Sequence, residues 1–389
     1  MPTTALPLLD AVNEIGRDVA RPNADSVDIE ARFPVEAFDA LKRVGALGAA
    51  VPREFGGTGC SVVELTQMTQ SLSEQCASSG LILSMHHIQV GSISNHLGGC
   101  AKLKDYLARV VSEQRLIASA TSEVGPSGNM RRSECAVERG VEGTSSFEVV
   151  KQATAISYGQ FAEDVLLTAR RTPDAAPNDQ VAVLALQDGL AIDTKGSWNT
   201  LGMRGTCSPG GEVRVTGESW QILPEPFGDI ATETMVPYSH ITWAGCWLGI
   251  ATDAVRKACQ SVRASARKNA GRTPPAAINL VATMEKLNRM RAEVYTAARE
   301  QDELETSDRE ALSSLGYAIR TNSLKLSAST QVVDIVSDAL RICGIRAYAN
   351  DSEFALGRHL RDAHSAALMI NNDRIRATNA ALLLVHKGD

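Results

Sequence analysis

The stretch GRHLRDAHSAALMINNDRI, residues 357–375, offers few side chains that could take a proton from a substrate. A general base must stand within hydrogen-bond reach of the proton it removes, and a weakly acidic carbon usually calls for a carboxylate. Asp373 is one candidate, although Arg374 and Arg376 beside it also suit a solvent-facing ion pair on a helix. His240 stands near the start of a helical segment and could titrate near neutrality. His86, in SMHHIQ, reads as a packed side chain, and His364 lies on a face that need not follow Arg361. Asp373 and His240 are therefore the catalytic candidates.

The totals exclude several other chemistries. A chain of 389 residues with 44% hydrophobic and 22% charged residues has the make-up of a globular protein of two or three parts. A net charge of -6, with scattered Lys and Arg, argues against nucleic acid as a partner. The 8 cysteines form no CxxC pair, which favours free thiols in a reducing compartment over a zinc site or disulfides. No apolar run is long enough to span a membrane, and no secretory signal is evident, so the expected location is the cytoplasm.

The elements that must position these residues change texture twice. Residues 1–115 read as helices: PVEAFDALKRVGALGA has helical spacing, and SVVELTQMTQSLSEQ begins with a Ser suited to capping. Residues 116–223 hold short β-rich runs (RLIASATSE, SSFEVVKQATAIS, DVLLTARR, QVAVLALQ, GGEVRVTGESWQIL) separated by turn residues. Residues 224–389 are helical again, with long segments near 241–267, 275–303, 308–341 and 352–385. The expected architecture is an N-terminal helical domain, a central β-barrel-like domain and a C-terminal four-helix bundle.

That order and its motifs resemble the acyl-CoA dehydrogenase superfamily of flavoproteins, over residues 33–376. The resemblance is carried by VPREFGGTG, KLKDYLARVVSEQRLIASATSE, GSWNTLGMRGTCS and YANDSEFALGRHLRDA. It implies FAD, lying between the β domain and the bundle with its adenosine end at a second copy of the chain, hence a homotetramer or homodimer. FMN, or reduced flavin delivered by a separate reductase, is a variant of the same expectation.

Carried over residue by residue, the resemblance places Ser119, Thr121 and Ser122 of ASATSE along the flavin ring. Hydroxyl and N–H donors at the ring edge stabilise its electron-rich reduced form. A second flavin strand in the family reads Trp-Ile-Thr; here it is Ala155-Ile156-Ser157, which keeps the hydroxyl and loses the indole. Ser127 stands beside the position of the family's phosphate-contacting serine, which is Gly128. At the adenosine end Arg267 keeps its guanidinium and Gly344 the first glycine of a Gly-Gly pair, while a family Phe is Ala270.

The family's base is a Glu on either of two helices. Both positions are changed here: the Glu-Gly-Thr triplet reads Ile370-Asn371-Asn372, and the alternative site is Ser239, followed by His240. Asp373, counted along one continuous helix, would lie roughly on the face of Ile370. Asn372, inside the altered triplet, joins the flavin-contact candidates. Because oxygen transfer needs no base at Cα, the favoured reading is a flavin monooxygenase acting on a small molecule, by hydroxylation or N-oxygenation. The alternatives are an acyl-CoA or acyl-carrier-protein dehydrogenase with a relocated base, and a catalytically silent binding homologue.

Overall fold

The computed structural model describes residues 5–125, 129–140, 145–268 and 272–387. Six helices open the chain: α1 (Ala5–Ile15), α2 (Arg21–Ile29), α3 (Val35–Arg43), α4 (Val62–Ser73), α5 (Ala77–Ser94) and α6 (Ala101–Glu113). Ser61 caps α4 as its position suggests. Its hydroxyl accepts from the Glu64 N–H, and the Glu64 carboxylate accepts from the Ser61 N–H, so two otherwise orphaned donors are satisfied. α5 is buried on nearly every side, which its mix of aliphatic, Gly and Ser residues permits.

Seven strands follow: β1 (Ile117–Ala120), β2 (Glu138–Arg139), β3 (Ser146–Ala153), β4 (Asp164–Arg170), β5 (Gln180–Ala185), β6 (Leu190–Thr194) and β7 (Gly211–Glu218). They form two sheets, ordered β1-β4-β5 and β2-β3-β7-β6. β1 runs parallel to β4; the remaining pairs are antiparallel. β1, β4 and β5 are almost wholly buried and read as continuous apolar runs, whereas β3 alternates buried and exposed residues, as a strand with one wet face should. The start of β4 is bolted to α6. Asp164, fully buried, accepts from Arg115 at 2.6 and 2.7 Å and from the Tyr106 hydroxyl at 2.8 Å.

The chain closes with α7 (Phe227–Ile230), α8 (Val236–Lys268), α9 (Ala276–Ser307), α10 (Leu315–Cys343), α11 (Ile345–Tyr348), α12 (Gly357–His364) and α13 (Asn372–Leu383). Among the described residues no helix is long and apolar enough to cross a membrane. One expectation needs correction here. Residues 352–385 are not one helix: α12 ends at His364, Ile370 turns to φ 53°, and Asn371 caps a new helix by accepting from the Asp373 N–H at 2.8 Å. Asp373 therefore opens α13 and does not continue the face of Ile370.

Candidate active site

Two segments of the β region meet edge to edge. The Ser157 N–H donates to the Ser119 carbonyl at 3.1 Å, and Ser122 and Ala155 bond through the Ser122 hydroxyl at 3.3 and 3.4 Å. Ile156 is buried beneath them, its N–H on the Pro209 carbonyl. Ser119 is mostly buried in β1, while Thr121, Ser122 and Ser157 are half-buried at the open end. The hydroxyls of Thr121 and Ser157 make no hydrogen bond among the described residues. Free hydroxyls on two converging strand ends, beside a residue as small as Ala155, suit the polar edge of a flat heteroaromatic ring. Ser127 lies outside the described residues.

A chain of bonds connects this edge to the C-terminal helices. The Tyr158 N–H reaches the Thr206 carbonyl at 3.1 Å, the Thr206 hydroxyl reaches the Met203 carbonyl at 2.9 Å, and the Met203 N–H reaches Asp362 at 2.6 Å. Gly202 fits because a Cβ there would stand 2.3 Å from the Arg361 carbonyl oxygen. Burial pushes the Asp362 carboxyl up to about 6. The Arg-Asp-Ala triplet thus ties α12 to the loop that supports Ser157.

A second route runs through the helices. His86 accepts from the Ile117 N–H at 3.1 Å and meets the Leu47 carbonyl at 2.8 Å, which assigns its proton to Nε2. Burial pushes His86 down to about 4, so it joins β1 to α5 as a neutral ring. Ser84 on α5 bonds Thr242 on α8 at 2.7 Å.

His240, one turn earlier on α8 than Ala244, is wholly buried; neither ring nitrogen makes a well-formed hydrogen bond among the described residues, and the Thr321 backbone nearby favours its proton only slightly. Burial, then the positive charge of Lys325, pushes it down to about 3. Such an imidazole stays neutral and holds a captured proton poorly. Ser239 is buried and donates to the Met235 carbonyl at 2.5 Å.

Asp373 is 86% exposed and pairs with Arg376 at 2.9 Å, an ordinary surface contact. Arg267 is exposed in the last turn of α8. Gly344 ends α10 at φ 65°, ψ -146°, a region suited to glycine alone. No hydrogen bond or ion pair among the described residues joins these last two to the Ser157 edge.

The residue that sequence reasoning passed over is Lys325. It is fully buried on α10, and its ammonium donates to the Ile370 carbonyl at 2.6 Å and the Asn372 side-chain oxygen at 2.7 Å. Ser329 completes the clamp, accepting from Asn372 Nδ2 at 3.1 Å. Asn372 is thereby committed to α10. The Trp247 ring lies 5.9 Å from the ammonium, and no carboxylate stands within ion-pair distance among the described residues. Burial, with Arg376 adding repulsion, pushes Lys325 down to about 8. A sequence signal did exist: Thr321, Lys325, Ser329 and Val332 fall on one helical face, and all are buried.

Ile370 is unusual in its own right. A β-branched residue at φ 53° is a genuine outlier, with a cost of about 1–3 kcal/mol. Its carbonyl is the one that Lys325 holds.

Comparison with known proteins agrees with this architecture. The sequence matches the acyl-CoA dehydrogenase N-terminal domain over residues 4–114 and the C-terminal domain over residues 229–370. It is 24% identical over 372 residues to a 3-(aryl)acrylate reductase from Clostridium sporogenes, covering 92% of this chain and 93% of that protein. It is 25% identical over 359 residues to the amino sugar nitrososynthase DnmZ of Streptomyces peucetius, covering 88% and 84%. The fold superposes on FMN-bound TdsC from Paenibacillus sp. A11-2, a dibenzothiophene monooxygenase, with a TM-score of 0.84, 21% identity and 98% coverage of both chains. With both terminal domains matched and the fold shared end to end, the chain belongs to the acyl-CoA dehydrogenase superfamily of flavin-dependent oxidoreductases.

Proposed function

We propose that this enzyme is a flavin-dependent monooxygenase that hydroxylates or N-oxygenates a small molecule, with reduced flavin delivered by a separate reductase. The observation that carries the proposal is that none of the positions where a base is expected, Ser239, His240 and Ile370, holds a carboxylate, the Ile370 turn being taken as the face presented to substrate. They hold a hydroxyl already donating to a backbone carbonyl, an imidazole depressed to about 3, and an aliphatic side chain. The nearest carboxylate in sequence, Asp373, is in solvent on Arg376. Removal of an α-proton from an acyl thioester has no acceptor there.

When bound, reduced flavin supplies two electrons, so that one oxygen atom of O2 enters the product and the other leaves as water. The chain's own residues supply position. Thr121 and Ser157 offer hydroxyls to the ring edge, Ser119 and Ser122 fix the two strand ends together, and Ala155 leaves room that an indole would fill. Arg267 and Gly344 are proposed to serve the adenosine end of a cofactor held by a second copy. The exposed apolar side chains of Ile345 and Tyr348 next to Gly344 support such an oligomer contact.

The test uses Ile370→Glu beside the native enzyme, each flavin-loaded and mixed anaerobically with butyryl-CoA. Native flavin should stay oxidised, while the variant should bleach faster by about a hundredfold or more, the usual contribution of a placed general base. Bleaching of the native enzyme by acyl-CoA would refute the monooxygenase reading. In air, NADH with a flavin reductase should drive oxygen uptake by the native protein.

A further inference from the structure

We propose that Lys325 is a positioning residue for the reaction: holding the Ile370 carbonyl and the Asn372 side chain together, its ammonium fixes the turn between α12 and α13 that walls the reacting space. The inference rests on the preceding reading of that turn as the face presented to substrate.

Three observations converge on it. The turn is not at rest by its own preference, because Ile370 occupies the left-handed region that a β-branched side chain avoids. The group opposing that preference is a strong donor, since hydrogen bonds from a charged ammonium exceed neutral ones. Finally, the ammonium is fully buried, with no carboxylate within ion-pair distance among the described residues. α8 presents His240 and the Trp247 ring, α10 presents Ser329, and α13 presents Asn372 and, farther off, the positive Arg376. Simple packing of α10 against α13 would be served better by an aliphatic or amide side chain. A lone cation held there keeps one carbonyl and one amide in register and leaves a positive field next to His240. Deprotonation would weaken both bonds, so the turn should loosen as the medium becomes alkaline; burial and Arg376 bring that change near pH 8.

The experiment compares native enzyme with Lys325→Met, Lys325→Arg and Asn372→Ala. Two readouts are taken: hydrogen exchange of residues 366–376 without flavin, and the rate at which oxygen reoxidises bound reduced flavin from pH 6.5 to 9.5. Lys325→Met should speed exchange in the turn and slow reoxidation by about tenfold or more. It should also abolish the native rate change near pH 8, and Lys325→Arg should restore part of the rate. Asn372→Ala should act in the same direction with a smaller effect. The proposal is overturned if Lys325→Met keeps native exchange, rate and pH profile. Should that variant fail to fold, native behaviour of Asn372→Ala in both readouts overturns it instead. Bleaching of native flavin by butyryl-CoA would remove the monooxygenase reading, while the exchange and pH data would still decide the role of Lys325.

Discussion

Lys325→Met also has a thermodynamic signature that can be worked out in advance. The native ammonium falls from the ordinary lysine value of 10.5 to about 8, chiefly because burial disfavours the charged form. That fall corresponds to about 3 kcal/mol of cost, fully present below pH 8, where both folded and unfolded chains carry the proton. Between about pH 8 and 10.5 the unfolded state binds a proton that the folded state has released. Native stability from this site therefore rises with pH, by at most about 1.4 kcal/mol per pH unit. Methionine removes the burial cost but leaves the Ile370 carbonyl without its donor, a loss of about 1–3 kcal/mol, and the Asn372 oxygen with only the Ser329 hydroxyl, a smaller loss. The two effects roughly cancel at pH 7. The variant should then fall progressively behind the native protein, by about 3 kcal/mol, as the pH climbs toward 10.5. Lys257, also pushed down to about 8, is present in both proteins and drops out of the difference. Urea denaturation followed by far-ultraviolet circular dichroism across pH 7–10 measures it directly. A variant-minus-native difference that stays constant over that range would refute the burial argument.

Other substitutions probe the remaining parts of the site. Asp373→Asn should leave flavin reoxidation within about twofold of native and stability within about 0.5 kcal/mol, because its carboxylate is an exposed partner of Arg376; a large loss of rate would make Asp373 a catalytic group after all. Asp164→Asn should cost about 1–3 kcal/mol in denaturant unfolding, since it removes the charged acceptor of two Arg115 bonds and leaves that guanidinium only Glu113 as a carboxylate partner. Because Asp164 lies opposite Ile117 in the β1–β4 ladder, flavin retention measured by gel filtration should fall with it. Gly344→Ala should cost about 1–3 kcal/mol in thermal unfolding. An added Cβ meets nothing within 4 Å, so that loss would come from backbone conformation alone.

Much of the fold was legible because local preference and tertiary role agree. SVVELTQMTQ announces α4 through a Ser cap followed by Glu at the reciprocal position, and both bonds form. The five apolar runs of the middle region are β1, β3, β4, β5 and β7. β6 was missed because LAIDT is short and half-exposed, and β2 because two residues carry no period. The pairing of the ASATSE end with Ala155–Ser157 was anticipated only through family resemblance, since nothing in either segment's spacing specifies the other. The break after His364 was hidden for a physical reason: AHSAALMI is good helical sequence, and the carbonyl at its interruption is held by a lysine 45 positions upstream.

The break at Ile370 explains why counting along a helix misplaced Asp373, and it bears on the missing base. Around the same turn stand a β-branched residue at positive φ, a buried cation with no carboxylate in ion-pair distance among the described residues, and a buried, neutral imidazole. Each feature is unfavourable by itself, and none is needed to pack α10 against α13. Local rules tend to fail together where function constrains the chain more tightly than folding does. A glutamate at position 370 would relieve the β-branched strain; isoleucine does not, yet the clamp on its carbonyl is intact. Under the monooxygenase function proposed above, the turn serves by its shape and its field and not by proton abstraction.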